Sequence, residues 1–322
     1  MEDEIKTDAI LLLNLGGPSC NDEVQPFLIE LFDDLLPKWL PFKKKIASKL
    51  ACLRAPISKS YYEKIGGSSP LRKHTEAQAS KLQERVKKPV NVVMRYSAPR
   101  ANRVLEALAG SRAQRLLLLP LYPQYSRFTT QSSIDEIKAL SRHLQFTSIE
   151  VVPYWYSEQS YLSFLTAQIE KFLSGENLEK IRTYLLFSAH GLPQKYILQG
   201  DPYLSQTTET VTKVATLLGL TSDQYGLGFQ SKMGKGRWLE PSTLQCVEVL
   251  GKQGAWEDVV VVPVSFVSDH VETLYELDIL VKEKAQRCGN YRYHRLPMFN
   301  DSDEFIDVLE DVVKNAPRTR LL

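Results

Sequence analysis

Residues Val259-Val260-Val261-Val262-Pro263-Val264 form an apolar run with no polar alternation. A strand of that composition has to be buried on both faces, which calls for a sheet covered by helices on each side. Directly after it, Ser265-Phe266-Val267-Ser268-Asp269-His270-Val271-Glu272-Thr273-Leu274-Tyr275-Glu276-Leu277-Asp278 switches to helical spacing. An imidazole and several carboxylates therefore fall at a strand-to-helix turn, where open α/β sheets bind their ligands. Neutral imidazole with carboxylate suits a borderline divalent metal, and the same groups move protons near neutral pH. Metal chemistry is the first functional expectation.

The rest of the chain fits such a fold. Apolar runs near residues 9–15, 91–97, 115–122 and 148–153 alternate with helical stretches such as Thr75 to Lys87 and Ser132 to His143, and four more runs follow near 182–188, 225–230, 258–266 and 290–296. The second set echoes the first: Ile10 to Pro18 and Tyr184 to Pro193 are each an apolar strand broken by a Gly and Pro turn, and Leu116 to Ser126 parallels Val260 to Ser268. The expected fold is α/β, with two similar Rossmann-like domains, each a four-stranded parallel sheet flanked by helices, and a cleft between facing sheet ends. The division expected is 1–165 and 166–322, with a crossover near 155–180, an apolar lip at 27–55 in the first domain, and a terminal helix packing back on that domain.

Composition narrows the function. With 43% hydrophobic and 24% charged residues, a chain of 322 is globular rather than disordered. Its 40 basic and 38 acidic side chains nearly balance and predict no nucleic-acid partner. Neither half carries G-x-G-x-x-G or G-x-x-x-x-G-K-[ST], and the glycines of Ile65-Gly66-Gly67-Ser68-Ser69-Pro70 and Met233-Gly234-Lys235-Gly236-Arg237 suit turns, so no nucleotide is expected. Cys20, Cys52, Cys246 and Cys288 are scattered and read as reduced thiols of a cytoplasmic protein. Met1 to Lys6 is acidic and runs straight into a strand, unlike a signal peptide. No run approaches the roughly 20 apolar residues that cross a bilayer. The stretch Phe27 to Phe42, followed by Lys43-Lys44-Lys45, is too apolar for a solvated excursion. It reads as a lid over a flat apolar ligand, a peripheral membrane contact through 27–50, or two packed helices.

Several motifs together resemble the ferrochelatases, in their bacterial form. These are Leu13-Asn14-Leu15-Gly16-Gly17-Pro18, Tyr62 through Pro70, Arg95-Tyr96, Leu119-Pro120-Leu121-Tyr122-Pro123-Gln124-Tyr125-Ser126, Phe187-Ser188-Ala189-His190-Gly191-Leu192-Pro193, Gln230-Ser231-Lys232 with Trp238, and Ser268 to Glu276. The resemblance implies insertion of ferrous iron into protoporphyrin IX, with porphyrin and iron as substrates and release of two protons. The reaction makes three demands: an apolar cleft that buckles the ring, bases that face its centre, and metal ligands strong enough to strip water yet weak enough to let go.

By resemblance, His190 and Glu272 form the catalytic and metal-contacting pair. Asp269 and His270 support it, and Glu276 extends it one helical turn along a proton or metal path if the helix begins near Val271. Some relatives carry a further acid where this chain has Leu280. Arg54, Tyr62 and Ser69 occupy propionate-contacting positions; Leu15, Arg95 and Tyr96 line the cavity; Tyr122, Trp155, Trp238 and Phe266 are macrocycle candidates. Relatives with a [2Fe–2S] cluster place cysteines in a C-terminal tail and after the Gln-Tyr-Ser motif; here Arg127 follows Ser126 and Lys314 to Leu322 has no cysteine, so no cluster and no cofactor beyond the substrate iron is expected. Coproporphyrin III is the alternative substrate, although members using it often have a tyrosine near Leu15. A non-catalytic haem or metal carrier on the same cleft is the alternative function.

Overall fold

Every residue of β1 (Ala9–Asn14) and of β7 (Asp258–Pro263) is buried, as unalternated apolar strands require. The computed structural model describes residues 6–111, 113–232 and 236–322, so the expectation for the Met233-Gly234-Lys235 glycine segment, and that for Met1 to Ile5, lie outside the described residues. After β1 come α1 (Val24–Leu35), α2 (Lys43–Lys64), α3 (Leu71–Val86), β2 (Val90–Met94), α4 (Ala101–Gly110) and β3 (Arg115–Pro120). A π-helical turn at Arg127–Gln131 then runs into α5 (Ser132–Ser141), followed by β4 (Ser148–Val151) and the connecting α6 (Gln159–Gly175). The second half holds β5 (Thr183–His190), α7 (Gln194–Leu198), α8 (Tyr203–Leu217), β6 (Tyr225–Gln230), α9 (Thr243–Gln253) and β7. A π-helix at Glu272–Val281 continues into α10 (Lys282–Cys288), and β8 (Arg292–Arg295), α11 (Asp303–Asn315) and β9 (Thr319–Arg320) complete the chain.

Strand order is β2-β1-β3-β4 in one sheet and β6-β5-β7-β8 in the other, the same winding twice. All these pairs are parallel. The first sheet gains a fifth, two-residue strand, because the tail returns and β9 pairs antiparallel with β4. The echo in the sequence extends beyond the strands, since a π-helical segment follows the third strand of each half.

Alternate residues of each central strand feed different cores. Leu11 and Leu13 pack with Leu105 and Ile134 on one face, while Val259 and Val261 pack with Leu250 and Leu277 on another. Ile10, Leu12, Leu185, Phe187, Val260 and Val262 all belong to a third core, which lies between the two sheets and also takes in α6 and α11. The halves are joined by buried apolar surface rather than by a polar hinge.

Trp155 sits in this shared core, fully buried, with its indole N–H donating to the Pro120 carbonyl at 2.9 Å. That corrects its assignment as a macrocycle contact: it belongs to an aromatic cluster with Tyr161, Phe164, Phe299 and Phe305, its ring 5.0 Å from that of Tyr161. α1 and α2 form a separate layer, where Val24 and Leu28 meet the small residues Ala51 and Ala55 of α2. Both helices of the lip are thus packed, yet Trp39 and Phe42 between them are 79% and 75% exposed, and Leu53 on α2 is 76% exposed.

The fully buried Phe305 anchors α11 in the shared core. Phe305→Ala should cost about 3–5 kcal/mol of stability in denaturant unfolding. A loss under about 1 kcal/mol would mean that α11 does not hold the halves together.

Candidate active site

In a sheet of order 2-1-3-4 the winding reverses beside the first strand, so a crevice opens at the carboxyl ends of β5 and β7. His190 is the last residue of β5, and the turn after β7 leads to Glu272 at the start of the π-helix. The two meet there, with His190 Nε2 3.6 Å from Glu272 Oε1.

Their orientation is set by backbone groups. His190 Nδ1 lies 2.6 Å from the Gly191 carbonyl oxygen, so this nitrogen carries the proton and donates it. Nε2, the nitrogen facing Glu272, is the basic one in the neutral ring. The His190 backbone N–H donates to Ser265 Oγ at 2.9 Å. Gly191 leaves room that this arrangement needs, for a Cβ there would come 2.8 Å from the Gln230 carbonyl oxygen. Gln230 spans the crevice floor: it accepts from Ser188 Oγ at 2.8 Å and donates to the Glu272 carbonyl at 2.9 Å.

Glu272 Oε2 is buried, has no hydrogen-bond partner among the described residues, and lies 3.8 Å from His270 Nε2. Burial pushes this carboxyl up, but the imidazoles of His190 and His270 outweigh it and hold Glu272 well below the usual carboxylate range. Burial pushes the His190 imidazole down, yet the Glu272 carboxylate outweighs that and draws it up to about 9. Both side chains keep a cleft-facing edge, 36% exposed for His190 and 28% for Glu272. The pair is therefore an imidazolium and a carboxylate at neutral pH.

The helix expected from Val271 is a π-helix from Glu272. Its i→i+5 bonding widens the turn, which brings residues four apart closer to one line than an α-helix does. Glu276 follows Glu272 along that line and is held by Ser231, whose backbone N–H donates at 2.7 Å and whose hydroxyl also donates. Burial, then the neighbouring Glu272 charge, pushes Glu276 up against those two bonds. Leu280, the next position on the line, is 37% exposed.

Other expected residues fall into three groups. Phe266 and Trp238 flank the pair: the Phe266 ring centroid is 6.3 Å from that of His190 and 4.4 Å from that of His270, and Trp238 bridges to Pro193 beside Gly191. Leu15 and Ser69 stand at the carboxyl end of β1, where the Tyr96 N–H donates to the Leu15 carbonyl at 2.9 Å and Ser69 N–H to that of Pro18 at 2.8 Å. Tyr62 is buried, and burial with the Glu272 charge raises its hydroxyl above the ordinary range. Tyr122 is buried too, its hydroxyl without a hydrogen-bond partner among the described residues.

Arg95 and Arg54 also make contacts within the protein. Arg95 Nε donates to Ser132 Oγ at 2.9 Å, and its other nitrogens lie 3.0 Å from Asp34 and 3.3 Å from Glu136. The Tyr96 hydroxyl also donates to Asp34, so both residues pin α1 to the sheet end. The Arg54 guanidinium lies over the Tyr61 ring, which stacks on Tyr275 of the π-helix with centroids 4.0 Å apart, and Lys64 lies over Tyr275. Sequence reading missed this stack between the lip and the π-helix, as it missed the anchoring role of Gln230 and Ser231. Gln230-Ser231 and Tyr275 lay within motifs, but nothing local pairs Tyr275 with Tyr61, which is far away in the chain and just outside the Tyr62 motif. Among the described residues no three His, Cys, Asp or Glu side chains converge on a closed metal cage.

Comparison with known proteins identifies the family and the fold. The chain is 41% identical over 311 residues to the ferrochelatase of Aquifex aeolicus (strain VF5), covering 95% of this chain and 98% of that one. It is 42% identical over 314 residues to the ferrochelatase of Geotalea uraniireducens (strain Rf4), covering 95% and 96%. Among solved structures it resembles SirB from Bacillus subtilis with Fe3+ (TM-score 0.60, 10% identity, 96% and 95% covered). It also resembles CbiX, the terminal enzyme for biosynthesis of siroheme in denitrifying bacteria (TM-score 0.53, 13% identity, 96% and 99% covered), and at these identities the two likenesses speak for the fold. The sequence model of the ferrochelatase family matches residues 7–316. The chain belongs to the ferrochelatase family, the metal chelatases that insert ferrous iron into porphyrin in haem biosynthesis.

Proposed function

We propose that the substrate porphyrin is protoporphyrin IX and that His190 and Glu272 contact the incoming Fe2+ and accept the ring protons. The observation that carries this reading is the 3.6 Å gap between His190 Nε2 and Glu272 Oε1. It is too long for a hydrogen bond. Two metal bonds of about 2.0–2.2 Å meeting near the tetrahedral angle span about 3.4 Å, so the gap fits one shared ion. Two protein ligands hold iron weakly enough to give it up to four ring nitrogens. Once the metal has moved on, the same imidazole and carboxylate are free to take protons from the ring. Glu276, raised by its surroundings, can pass a proton outward along the π-helix.

Leu15, Tyr62, Ser69, Tyr96, Tyr122, Trp238 and Phe266 are proposed to line the ring site, with Arg54 and Arg95 at its rim; Asp269 and His270 support the pair. The exposed Leu50, Leu53 and Ile57 along α2 favour a substrate with few carboxylates over coproporphyrin III. Cys20 and Cys52 lie in the lip half and Cys246 and Cys288 in the other, while Arg127 follows Ser126 and Lys314 to Leu322 holds no cysteine, which supports a protein without a [2Fe–2S] cluster. No helix among the described residues is long and apolar enough to cross a membrane. Trp39, Phe42 and Leu53, beside Lys43, Lys44 and Lys45, make the lip a surface for peripheral contact with anionic lipid from the cytoplasm. Nucleotide and nucleic acid have no part in this reading.

Anaerobic assays with Fe2+ and each porphyrin test the substrate: turnover with protoporphyrin IX should exceed that with coproporphyrin III, and the reverse order would contradict the assignment. His190→Ala should lose at least 100-fold in kcat with an unchanged circular dichroism spectrum, and Glu272→Gln should keep porphyrin affinity while losing most turnover. Wild-type rates in either would remove the pair from the mechanism. Because His190 is protonated below about 9, a metal must displace that proton. Divalent-metal affinity of the porphyrin-free protein should therefore rise about tenfold per pH unit from neutral pH and level off above about 9; a flat profile would exclude His190 as ligand. At the lip, Trp39→Ser with Phe42→Ser should change stability by less than about 0.5 kcal/mol and weaken sedimentation with anionic vesicles. Unchanged vesicle binding would exclude the lip as the contact.

A further inference from the structure

The turn that delivers Glu272 is held by a residue outside the cleft motifs. Asn300, in the loop between β8 and α11, accepts the Asp269 backbone N–H on Oδ1 at 2.8 Å and donates from Nδ2 to Asp269 Oδ2 at 3.0 Å. Its own N–H donates to the Val267 carbonyl at 3.0 Å. Asp269 Oδ1 in turn accepts from Thr273 Oγ1 at 2.9 Å, and that hydroxyl oxygen accepts the His270 backbone N–H at 3.0 Å. Arg295 closes the set, 3.3 Å from Asp269 Oδ1 and bonded through two nitrogens to Asp278 of the π-helix. The start of the π-helix thus hangs on a side-chain chain that begins at Asn300.

The first half reaches the same point. Gln78 of α3, fully buried, donates to Ser268 Oγ at 2.9 Å and to the Asn300 carbonyl. His74 and Lys81 of α3 hold the adjacent Asp301, His74 Nδ1 at 2.9 Å from its carboxylate. A loop of the second half is therefore tied to a helix of the first directly behind the turn that carries Glu272.

Asn300 has φ 50, in the left-handed region where glycine is free of strain. Asn is the side chain that tolerates the region best, but glycine would fit the backbone alone. The side chain is there for Asp269.

Resting on the reading of His190 and Glu272 given above, we propose that Asn300, with Gln78 behind it, is a positioning residue for iron insertion. Its carboxamide fixes Asp269, and through Thr273 the first turn of the π-helix, so that Glu272 stands at the distance from His190 that one metal ion needs. A displacement of about 1 Å can cost about 100-fold in rate. The constraint acts on the metal and proton steps and leaves the ring-binding walls untouched.

Asn300→Gly removes the carboxamide while relieving the backbone. It should lower kcat for iron insertion at least tenfold, keep KM for the porphyrin within about twofold, and leave the thermal midpoint within a few degrees of wild type. Gln78→Met, which keeps length and apolar bulk, should move kcat in the same direction. Zn2+ titration of the porphyrin-free Asn300→Gly protein should show several-fold weaker binding. A kcat within twofold of wild type together with unchanged Zn2+ affinity would overturn the proposal, as would a loss of kcat matched by loss of fold. Zn2+ titration of His190→Ala alongside reports separately on the His190 and Glu272 reading: unchanged affinity there would remove that reading whatever Asn300→Gly shows.

Discussion

The hydrogen bond from His190 Nδ1 to the Gly191 carbonyl decides what the crevice can do. It commits one ring nitrogen to the backbone and turns the other toward Glu272, so imidazole and carboxylate face each other across a gap instead of bonding to the nearest turn. The surroundings serve that arrangement. Gly191 allows the strand end to press against Gln230, Gln230 carries the Glu272 backbone, and Ser265 fixes the His190 backbone N–H. In the reading proposed above, an open pair suits a metal that must be released. A closed cage of three or four ligands would bind iron and keep it.

This pair lies wholly in the second half, between β5 and the π-helix after β7, and the ring site proposed around it needs the first half held in register with it, which the shared apolar core provides. Val260 and Val262 of β7 pack in the same cluster as Ile10 and Leu12 of β1. Buried surface of this kind resists opening, and the halves also meet outside it, where α2 contacts the π-helix. There the Tyr61–Tyr275 stack joins α2 to the π-helix, flanked by Arg54 and Lys64.

What could be read from residues alone follows from how local each signal is. β1 and β7 were legible because burial on both faces leaves an unbroken apolar run, and the equal strand order of the two sheets was foreshadowed by the Gly and Pro turns that close β1 and β5. His190 and Glu272 were legible through the motifs around them, which carry the family resemblance. The π-helix was not: its bonding pattern leaves the apolar spacing close to that of an α-helix. Trp155 looked like a cleft aromatic because nothing in its neighbourhood announces that Phe305 will cover it. Arg95 was expected only as a residue lining the cavity, because its partners Asp34 and Glu136 come from distant helices. Asn300 sits in a loop of no evident pattern, and its meaning arises only when Asp269 and Gln78 fold against it.

The central claim is that one metal ion sits between His190 and Glu272 before it enters the ring. X-ray absorption on Fe2+ bound anaerobically to the porphyrin-free protein at pH 8 tests this most directly. The account predicts one imidazole among oxygen donors, with the imidazole signal lost in His190→Ala and the affinity reduced in Glu272→Gln. An iron site without imidazole scattering, or one unchanged in His190→Ala, would contradict it.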